Sequence, residues 1–276
     1  MSRANLPSFG KPPVIETVVG IQFDPIPGFT NNHLGAFWAR LGGRKTWPFS
    51  ADAQPLRPEF ERFGDEQQWV QADTVMLGLT PIPMSRMQLR NQAGDRMLQL
   101  QNGRLIYNWL GANGAEYPRY RQIRPEFDKH FEEFRSFLLD ENLLAMMRQN
   151  QWDVTYVNHI PKGTVWNSVE DWSQVFQFHA VPPAVLNVSR LESVAGNWMY
   201  EITPRRGRLR VQLQHAKIRD SSTETLVFTL TARGPIGEGE GGLDRHEAGL
   251  DLGHEVIVNS FRDLTSAKAR KYWEER

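Results

Sequence analysis

The sequence predicts an α+β protein with an internal duplication, and three observations support this expectation. Short runs in which apolar and polar residues alternate between turn residues indicate antiparallel β-strands. Two longer segments space their apolar residues by four, three and four positions, which is typical of amphipathic helices. Residues 89–100 and 191–202 also share apolar and glycine positions at a constant offset of 102.

The recurring segment predicts that one β-meander occurs twice. It is centred on Ala93-Gly94-Asp95 in the first copy and on Ala195-Gly196-Asn197 in the second. We expect each glycine to form a turn between two strands. Gly103-Arg104-Leu105 and Gly207-Arg208-Leu209 follow as a second matching pair, at an offset of 104.

The first half, residues 1–150, is expected to contain a strand, a short helix, a meander and a long helix. The strand at 13–23 is rich in β-branched residues, and the short helix should begin at Asn31-Asn32 and end at Gly42-Gly43. Residues 47–69 are expected to be irregular because they are rich in proline and charge. The remaining strands are predicted at 74–80, 86–91, 96–101 and 104–110.

Two long helices end the two halves. The first should begin after Pro125 and continue to about Gln149. Its apolar face carries Phe127, Phe131, Phe134 and Leu138. The second has the same spacing at Leu250, His254, Ile257 and Phe261.

The second half, residues 151–276, is expected to repeat this order. It should begin with a strand at 152–160 and a short helix capped by Ser168 and Asp171. Further strands are predicted at 184–192, 198–203, 208–215 and 225–232. Each half thus forms a strand–helix–antiparallel meander–long helix unit, and we expect both to pack as one globular unit. This order is similar to the topology of the TATA-binding-protein repeat or of a helix-grip fold, a similarity that implies no function.

Composition narrows the classes of function. The chain of 276 residues has 32 basic and 32 acidic residues, so global charge does not attract it to nucleic acid or to an anionic membrane. It contains no cysteine, which excludes disulfides, thiolate metal sites and cysteine nucleophiles. We found no apolar run long enough to span a membrane and therefore expect a cytoplasmic protein that does not bind membranes.

Several short segments together carry a family resemblance. They are Pro12-Pro13-Val14-Ile15-Glu16, Phe37-Trp38, Tyr117-Pro118-Arg119-Tyr120, Val154-Thr155-Tyr156-Val157-Asn158-His159-Ile160, and His254 with Phe261, Leu264 and Thr265. The chain resembles, over nearly its whole length, a sporadically distributed bacterial protein family of about this size. The resemblance implies no activity, cofactor or catalytic residue. Its scattered distribution implies a role in mobile or defence-associated genes.

One candidate binding surface is the polar face of the predicted sheet. Arginine, glutamine and asparagine side chains alternate there with apolar ones, and such side chains can bind bases, phosphates or a peptide backbone. The candidate residues on this face are Arg90, Gln99, Gln101, Arg208, Arg210 and Gln212. A solvated outer face would show the same alternation, so contact with nucleic acid, contact with a protein and no contact all remain open.

A second candidate is the segment before the first long helix, where rings and guanidinium groups are combined in Tyr117, Arg119, Tyr120, Arg121 and Arg124. Such a combination suits a carboxylate, a phosphate or a stacked base. A tyrosine-lined seam between helix and sheet, with arginines reaching to solvent, would give the same pattern.

A third candidate is a cleft between sheet and helices near Asn158, His159 and His254. A general base there would need a partner that the spacing does not supply. His246-Glu247 and His254-Glu255 would place two histidines about 12 Å apart on a helix, which is too far for one metal ion. We therefore predict no metal and no other cofactor.

We expect a non-catalytic binding or adaptor protein of a bacterial multi-gene system, such as phage defence or toxin control. Its expected partner is a protein encoded by a neighbouring gene, and a homo-oligomer remains open. One alternative is a nucleic-acid-binding module that uses the arginine- and glutamine-rich face. Another is an enzyme or small-ligand-binding protein that uses the cleft.

Overall fold

A computed structural model of the chain describes residues 6–63, 85–111, 116–178, 192–218, 222–237 and 241–276. Within these ranges there are nine strands: β1 (Val14–Phe23), β2 (Phe49–Ala53), β3 (Arg86–Arg90), β4 (Arg96–Gln101), β5 (Arg104–Leu110), β6 (Gln149–Pro161), β7 (Ala195–Ile202), β8 (Gly207–Lys217) and β9 (Glu224–Pro235). The α-helices of the same ranges are α1 (Asn31–Arg40), α2 (Gly43–Thr46), α3 (Tyr120–Asp140), α4 (His246–Leu264) and α5 (Ala267–Tyr272).

The strands form one open antiparallel sheet in the order β2-β3-β4-β5-β1-β6-β9-β8-β7. Strands β1 and β6 pair at its centre. The other strands of residues 1–150 lie on the β1 side, and those of residues 151–276 lie on the β6 side. The protein is therefore α+β, as the sequence predicts, and the structure shows that both halves share a single antiparallel sheet.

One row of paired residues shows how the strands bury one face of this sheet. The row runs through Leu89, Leu98, Tyr107, Val19, Val154, Ala232, Leu209 and Tyr200. All members are buried except Tyr200 on the edge strand, which is 42% exposed. Because side chains alternate along a strand, residues on either side of this row point to the opposite face.

Helices α3 and α4 cover the buried face with the apolar stripes that the sequence predicts. Phe127, Phe131 and Phe134 of α3 are fully buried, and Phe134 also contacts Phe37 of α1 with ring centroids 5.3 Å apart. Leu250 and Ile257 of α4 are buried in the same way.

Helix α4 lies close to the sheet because two of its glycines face a buried tryptophan. Gly249 and Gly253 are one helical turn apart, and both face the indole of Trp152 in β6. A Cβ on Gly253 would lie 2.8 Å from Cζ3 of Trp152 and 3.0 Å from Cγ2 of Val154. A larger side chain does not fit, so these glycines set the distance between α4 and β6.

The predicted bounds of the first long helix are wrong at both ends. Helix α3 begins at Tyr120, so Pro125 lies inside it, and it ends at Asp140 instead of near Gln149. The end is a Schellman motif: Asn142 has φ +59°, and the amide of Leu143 donates to the carbonyl of Leu138 at 2.7 Å. The left-handed asparagine turns the chain toward β6.

The proposed turn of the second repeat is also wrong. Ala195, Gly196 and Asn197 belong to strand β7, whereas Gly94 does lie in the turn between β3 and β4. The offset of 102 therefore matches β4 to part of β7, although the order in the sheet relates β4 to β8.

The other predicted strands and helices were partly confirmed. The strands at 13–23, 86–91, 96–101, 104–110, 152–160, 198–203, 208–215 and 225–232 are confirmed with small changes of bounds. Ser168 and Asp171 form the predicted capping box, but on a 3-10 helix, Val169–Gln174. The sequence missed the exposed edge strand β2 and the short helix α5. The strand predicted at 74–80, and that at 184–192 except for its last residue, lie outside the described residues.

Candidate ligand-binding cleft

A cleft of about 530 Å³ opens on the helix-covered side of the sheet. Its walls come from β6, from the start of α3, from the second half of α4 and from the segment before β1. Tyr117 and Tyr120 line one wall, and His254 lines another, with Tyr156 and Asn158 on the strand between them. The structure thus brings together residues of the second and third candidate sites.

A chain of hydrogen bonds joins the walls. The hydroxyl of Tyr117 donates to that of Tyr156 at 3.1 Å, and the Tyr156 hydroxyl lies 2.8 Å from Nδ1 of His254. Burial raises the pKa of Tyr156 well above its ordinary value, so this side chain stays protonated and donates to the imidazole.

His254 is a neutral acceptor in this chain. Burial lowers its pKa to about 4, so the ring carries no charge near neutral pH. Because Nδ1 accepts from Tyr156, the remaining ring proton is on Nε2. Nε2 has no hydrogen-bond partner among the described residues, so it is a donor available to a ligand in the cleft.

Tyr120 and Arg124 fix the imidazole from the side of α3. The ring of Tyr120 stacks on His254, with centroids 4.0 Å apart and planes 8° apart. Arg124 donates to the Tyr120 hydroxyl at 3.2 Å and to Asp251 at 2.6 Å. It also donates to Asp128 at 2.8 Å. Arg124 therefore positions the stacked pair and joins α3 to α4, and its guanidinium is already neutralised.

Asn158 presents an unpaired acceptor at the strand wall. Its side chain is 1% exposed, and Nδ2 donates to the carbonyl of Phe228 at 2.9 Å. Oδ1 is buried and has no partner in the described chain. Buried polar atoms are usually paired in folded proteins, so this acceptor keeps hydrogen-bonding capacity for a donor that reaches it.

Positive charge surrounds the cleft. Arg119, Arg121 and Arg276 line it, and no Asp or Glu does so among the described residues. None of the three guanidinium groups forms an ion pair with a described residue. That of Arg119 lies 5.5 Å from the ring centroid of Tyr117, within the range of a cation–π contact.

On the opposite face of the sheet lies a segment that we call the strap, residues 54–63. Gln22 of β1 accepts from the amide of Glu59 at 2.9 Å and donates to its carbonyl at 3.0 Å. Gln101 of β4 contacts Leu56 in the same two-bond manner, at 2.8 Å for each bond. The glutamines of this face thus hold a peptide backbone, namely that of the protein itself.

Arginines of the same face bind the acidic side chains of the strap. Arg208 donates to Glu61 at 2.8 Å, and Nη1 of Arg210 lies 2.6 Å from the other oxygen of that carboxylate. Arg233 donates to Glu59 and, at 2.6 Å, to Asp153. In this conformation, the strap occupies the part of the face that carries Gln101, Arg208 and Arg210.

The other predicted residues of that face lie apart from the cleft. Arg90 and Gln212 are exposed. Gln99 is buried, accepts from Gln88 at 2.9 Å and donates to Asn108 at 2.8 Å. The pKa of His159 is lowered by burial, but its side chain points to this opposite face and does not line the cleft.

The candidate sites predicted from the sequence left out several residues of the cleft, among them Tyr156 and Arg276. Tyr156 has the same strand parity as Asn158, so the alternation of β6 contained the signal that both share a face. Arg121 belongs to the predicted segment that precedes the first long helix, whereas Arg276 comes close only through the tertiary fold.

Two structural findings and two comparisons with known proteins limit what can be assigned to this site. In the part of the chain that the structure describes, no helix is long and apolar enough to cross a membrane. The described histidines and carboxylates also form no group of three or more that could hold a metal ion. A scan against protein-family models finds no match, and neither does a search of the curated proteins.

Proposed function

We propose that this is a non-catalytic binding protein that takes a small organic ligand into the cleft. The observation that carries the proposal is a concave site whose lining residues have polar atoms that the described chain leaves unpaired. Oδ1 of Asn158 can accept and Nε2 of His254 can donate, while rings and aliphatic groups form the rest of the wall. A volume of about 530 Å³ lies within the usual range of small-molecule sites.

The electrostatics favour binding over catalysis. Burial keeps Tyr117 and Tyr156 protonated by raising the pKa of each, and it makes His254 a weak base. A general acid–base catalyst would instead need a group with a pKa near the working pH. These groups hold fixed protonation states, which suits recognition by hydrogen bonds.

A cleft-filling variant tests the proposal. Val258 lines the cleft, whereas Val256 is on the same helix and lines another groove. We expect Val258→Phe to abolish binding of the fluorescent probes anilinonaphthalene sulfonate, which is anionic, and prodan, which is neutral. Val256→Phe should bind like the wild type. Equal binding by both variants, or no probe binding by the wild-type protein, would contradict the proposal.

The adaptor and nucleic-acid hypotheses remain predictions. Both concern the outer face of the sheet, and the adaptor hypothesis also includes the segment from Tyr117 to Arg124. A pull-down from the native host with and without nuclease separates them. A stoichiometric protein partner that survives nuclease supports the adaptor role in a multi-gene system. Recovery of nucleic acid at low salt, lost steeply as salt rises, supports the alternative.

We also propose that the sheet arose by duplication of a unit with TATA-binding-protein-like or helix-grip-like order. Three features support it: β1 and β6 form the central pair, each is followed by consecutively paired antiparallel strands (four after β1 and three after β6), and each series leads into a long helix. The apolar stripes of α3 and α4 match at a constant offset of 123.

A further inference from the structure

The charge of the cleft carries an inference about the class of ligand, which rests on the proposed function. On the strap side of the sheet, Glu59, Glu61 and Asp153 neutralise the neighbouring guanidinium groups. The cleft has three arginines and, among its described lining residues, no carboxylate side chain. Glu274 offsets part of the charge of Arg276, whereas Arg119 and Arg121 have no acidic partner among the described residues. Positive charge of this kind beside an apolar cavity matches a ligand that brings its own negative charge.

Arg119 occupies a backbone conformation that costs free energy. Its φ of +71° and ψ of 153° lie in a region that glycine adopts readily and other residues rarely do. The residue also immediately precedes the first turn of α3, so its position fixes where the guanidinium stands relative to Tyr117. A strained non-glycine residue at the edge of a cleft indicates that its side chain has a role that a glycine would not fulfil.

The deeper part of the cleft suits an apolar body. Leu230, Ile257 and Phe261 line it, together with the stacked rings of Tyr120 and His254. Asn158 and His254 add one acceptor and one donor on these walls. A ligand of matching chemistry has an anionic head and an apolar, ring-containing or aliphatic body.

We propose that the cleft binds an amphipathic anion, a carboxylate or a phosphate ester, whose head contacts Arg119 and Arg121 and whose body lies against Tyr120 and His254. Arg276 adds to the positive charge at the rim. A guanidinium group recognises both head groups through paired N–H donors, so the shared feature is the anionic oxygen pair.

The experiment compares matched probes that differ in the head group. Naphthoate, naphthyl phosphate, naphthamide and naphthylmethylammonium share one ring system, and their dissociation constants are measured by titration calorimetry on the full chain. We expect at least one anion to bind tenfold or more tightly than the amide, and the ammonium to bind weakest. The order of naphthoate and naphthyl phosphate identifies the preferred head.

Variants separate a role in binding from a role in folding. Arg119→Gly relieves the backbone strain, so it should raise the melting temperature while it removes most of the preference for the anion. Arg121→Gln should weaken anion binding severalfold, whereas the control Arg135→Gln, on the same helix but outside the cleft, should not. Unchanged anion preference in Arg119→Gly and Arg121→Gln would overturn the proposal.

The outcomes also distinguish this inference from the proposed function. Equal affinity for the amide and the anions would overturn the inference and leave a neutral-ligand site intact. Tighter binding of the ammonium probe than of the anionic probes would also overturn the inference. If none of the probes binds, and neither does prodan, both the inference and the proposed function fail.

Discussion

Replacing Gly249 with alanine should destabilise the protein, although alanine is the better helix former. Gly249 of α4 faces the buried indole of Trp152. An added Cβ would lie 2.8 Å from Nε1 of that indole and closer still to Cγ and Cδ1, whereas ordinary contact begins at 3.4 Å. Either α4 or the indole must therefore move by well over half an ångström.

The surroundings of Trp152 make such movement costly. Gly207, Gly234 and Gly253 also approach this indole so closely that none can carry a Cβ without displacement. Overpacking of a tight core costs about 1 to 3 kcal/mol, and the gain in helix propensity returns about 1 kcal/mol. We expect a net loss of up to about 2 kcal/mol in the free energy of unfolding.

The matched control is Gly35→Ala in α1, where a Cβ meets nothing within 4 Å. That change should stabilise the protein by about 0.5 to 1 kcal/mol. Urea denaturation followed by tryptophan fluorescence measures both variants. A displacement of α4 would also move His254, which follows Gly253 on this helix. The Gly249→Ala variant should therefore bind probes in the cleft less tightly. A Gly249→Ala protein as stable as Gly35→Ala would refute this account of α4 packing.

Three further predictions concern the strap and the cleft. Glu61→Gln leaves buried Arg208 without its carboxylate and should lower the free energy of unfolding, measured by urea denaturation, by about 3 kcal/mol. The side chain of Glu59 is half exposed, so Glu59→Gln should lower it by less than about 1 kcal/mol, and equal losses would contradict the role of Glu61. Burial lowers the pKa of His254 to about 4, so below about pH 6.5 the unfolded chain binds a proton that the folded chain does not, and stability falls as the pH drops to about 4. His254→Phe should reduce this slope by up to about 1.4 kcal/mol per pH unit, whereas an unchanged slope would show that the ring is not buried in its neutral form. Tyr156→Phe removes the hydroxyl that joins Tyr117 to His254 and should cost about 1 to 2 kcal/mol by thermal denaturation, with no loss expected if that hydroxyl were solvated instead.

Local patterns predicted the elements that depend on local sequence. The β-branched run of β1 and the phenylalanine stripe of α3 each encode their own periodicity, so the strand and the helix follow from the residues alone. The start of α3 does not follow from the residues alone, because Arg119 adopts a conformation that its residue type disfavours and Pro125 lies inside the helix. Such exceptions depend on tertiary contacts.

The strap could not be predicted because its contacts join distant parts of the chain. Glu61 and Arg208 are 147 residues apart, and Gln22 is 37 residues from Glu59. Alternation along β8 shows only that Arg208 and Arg210 share a face. What covers that face depends on the order of strands in the sheet.

The cleft was predicted in two separate parts. The rings near Tyr117 and the polar pair Asn158 and His254 were assigned to different candidate sites, because nothing in the sequence relates the start of α3 to β6 and α4. The pairing of β1 with β6 and the close approach of α4 to Trp152 bring these parts together.

The most direct test of the account is a crystal structure of the protein grown with naphthoate. The account predicts density for the naphthalene ring beside the stacked Tyr120 and His254, with the carboxylate directed toward Arg119. A cleft that stays empty while the probe binds elsewhere, such as beneath the strap, would contradict it.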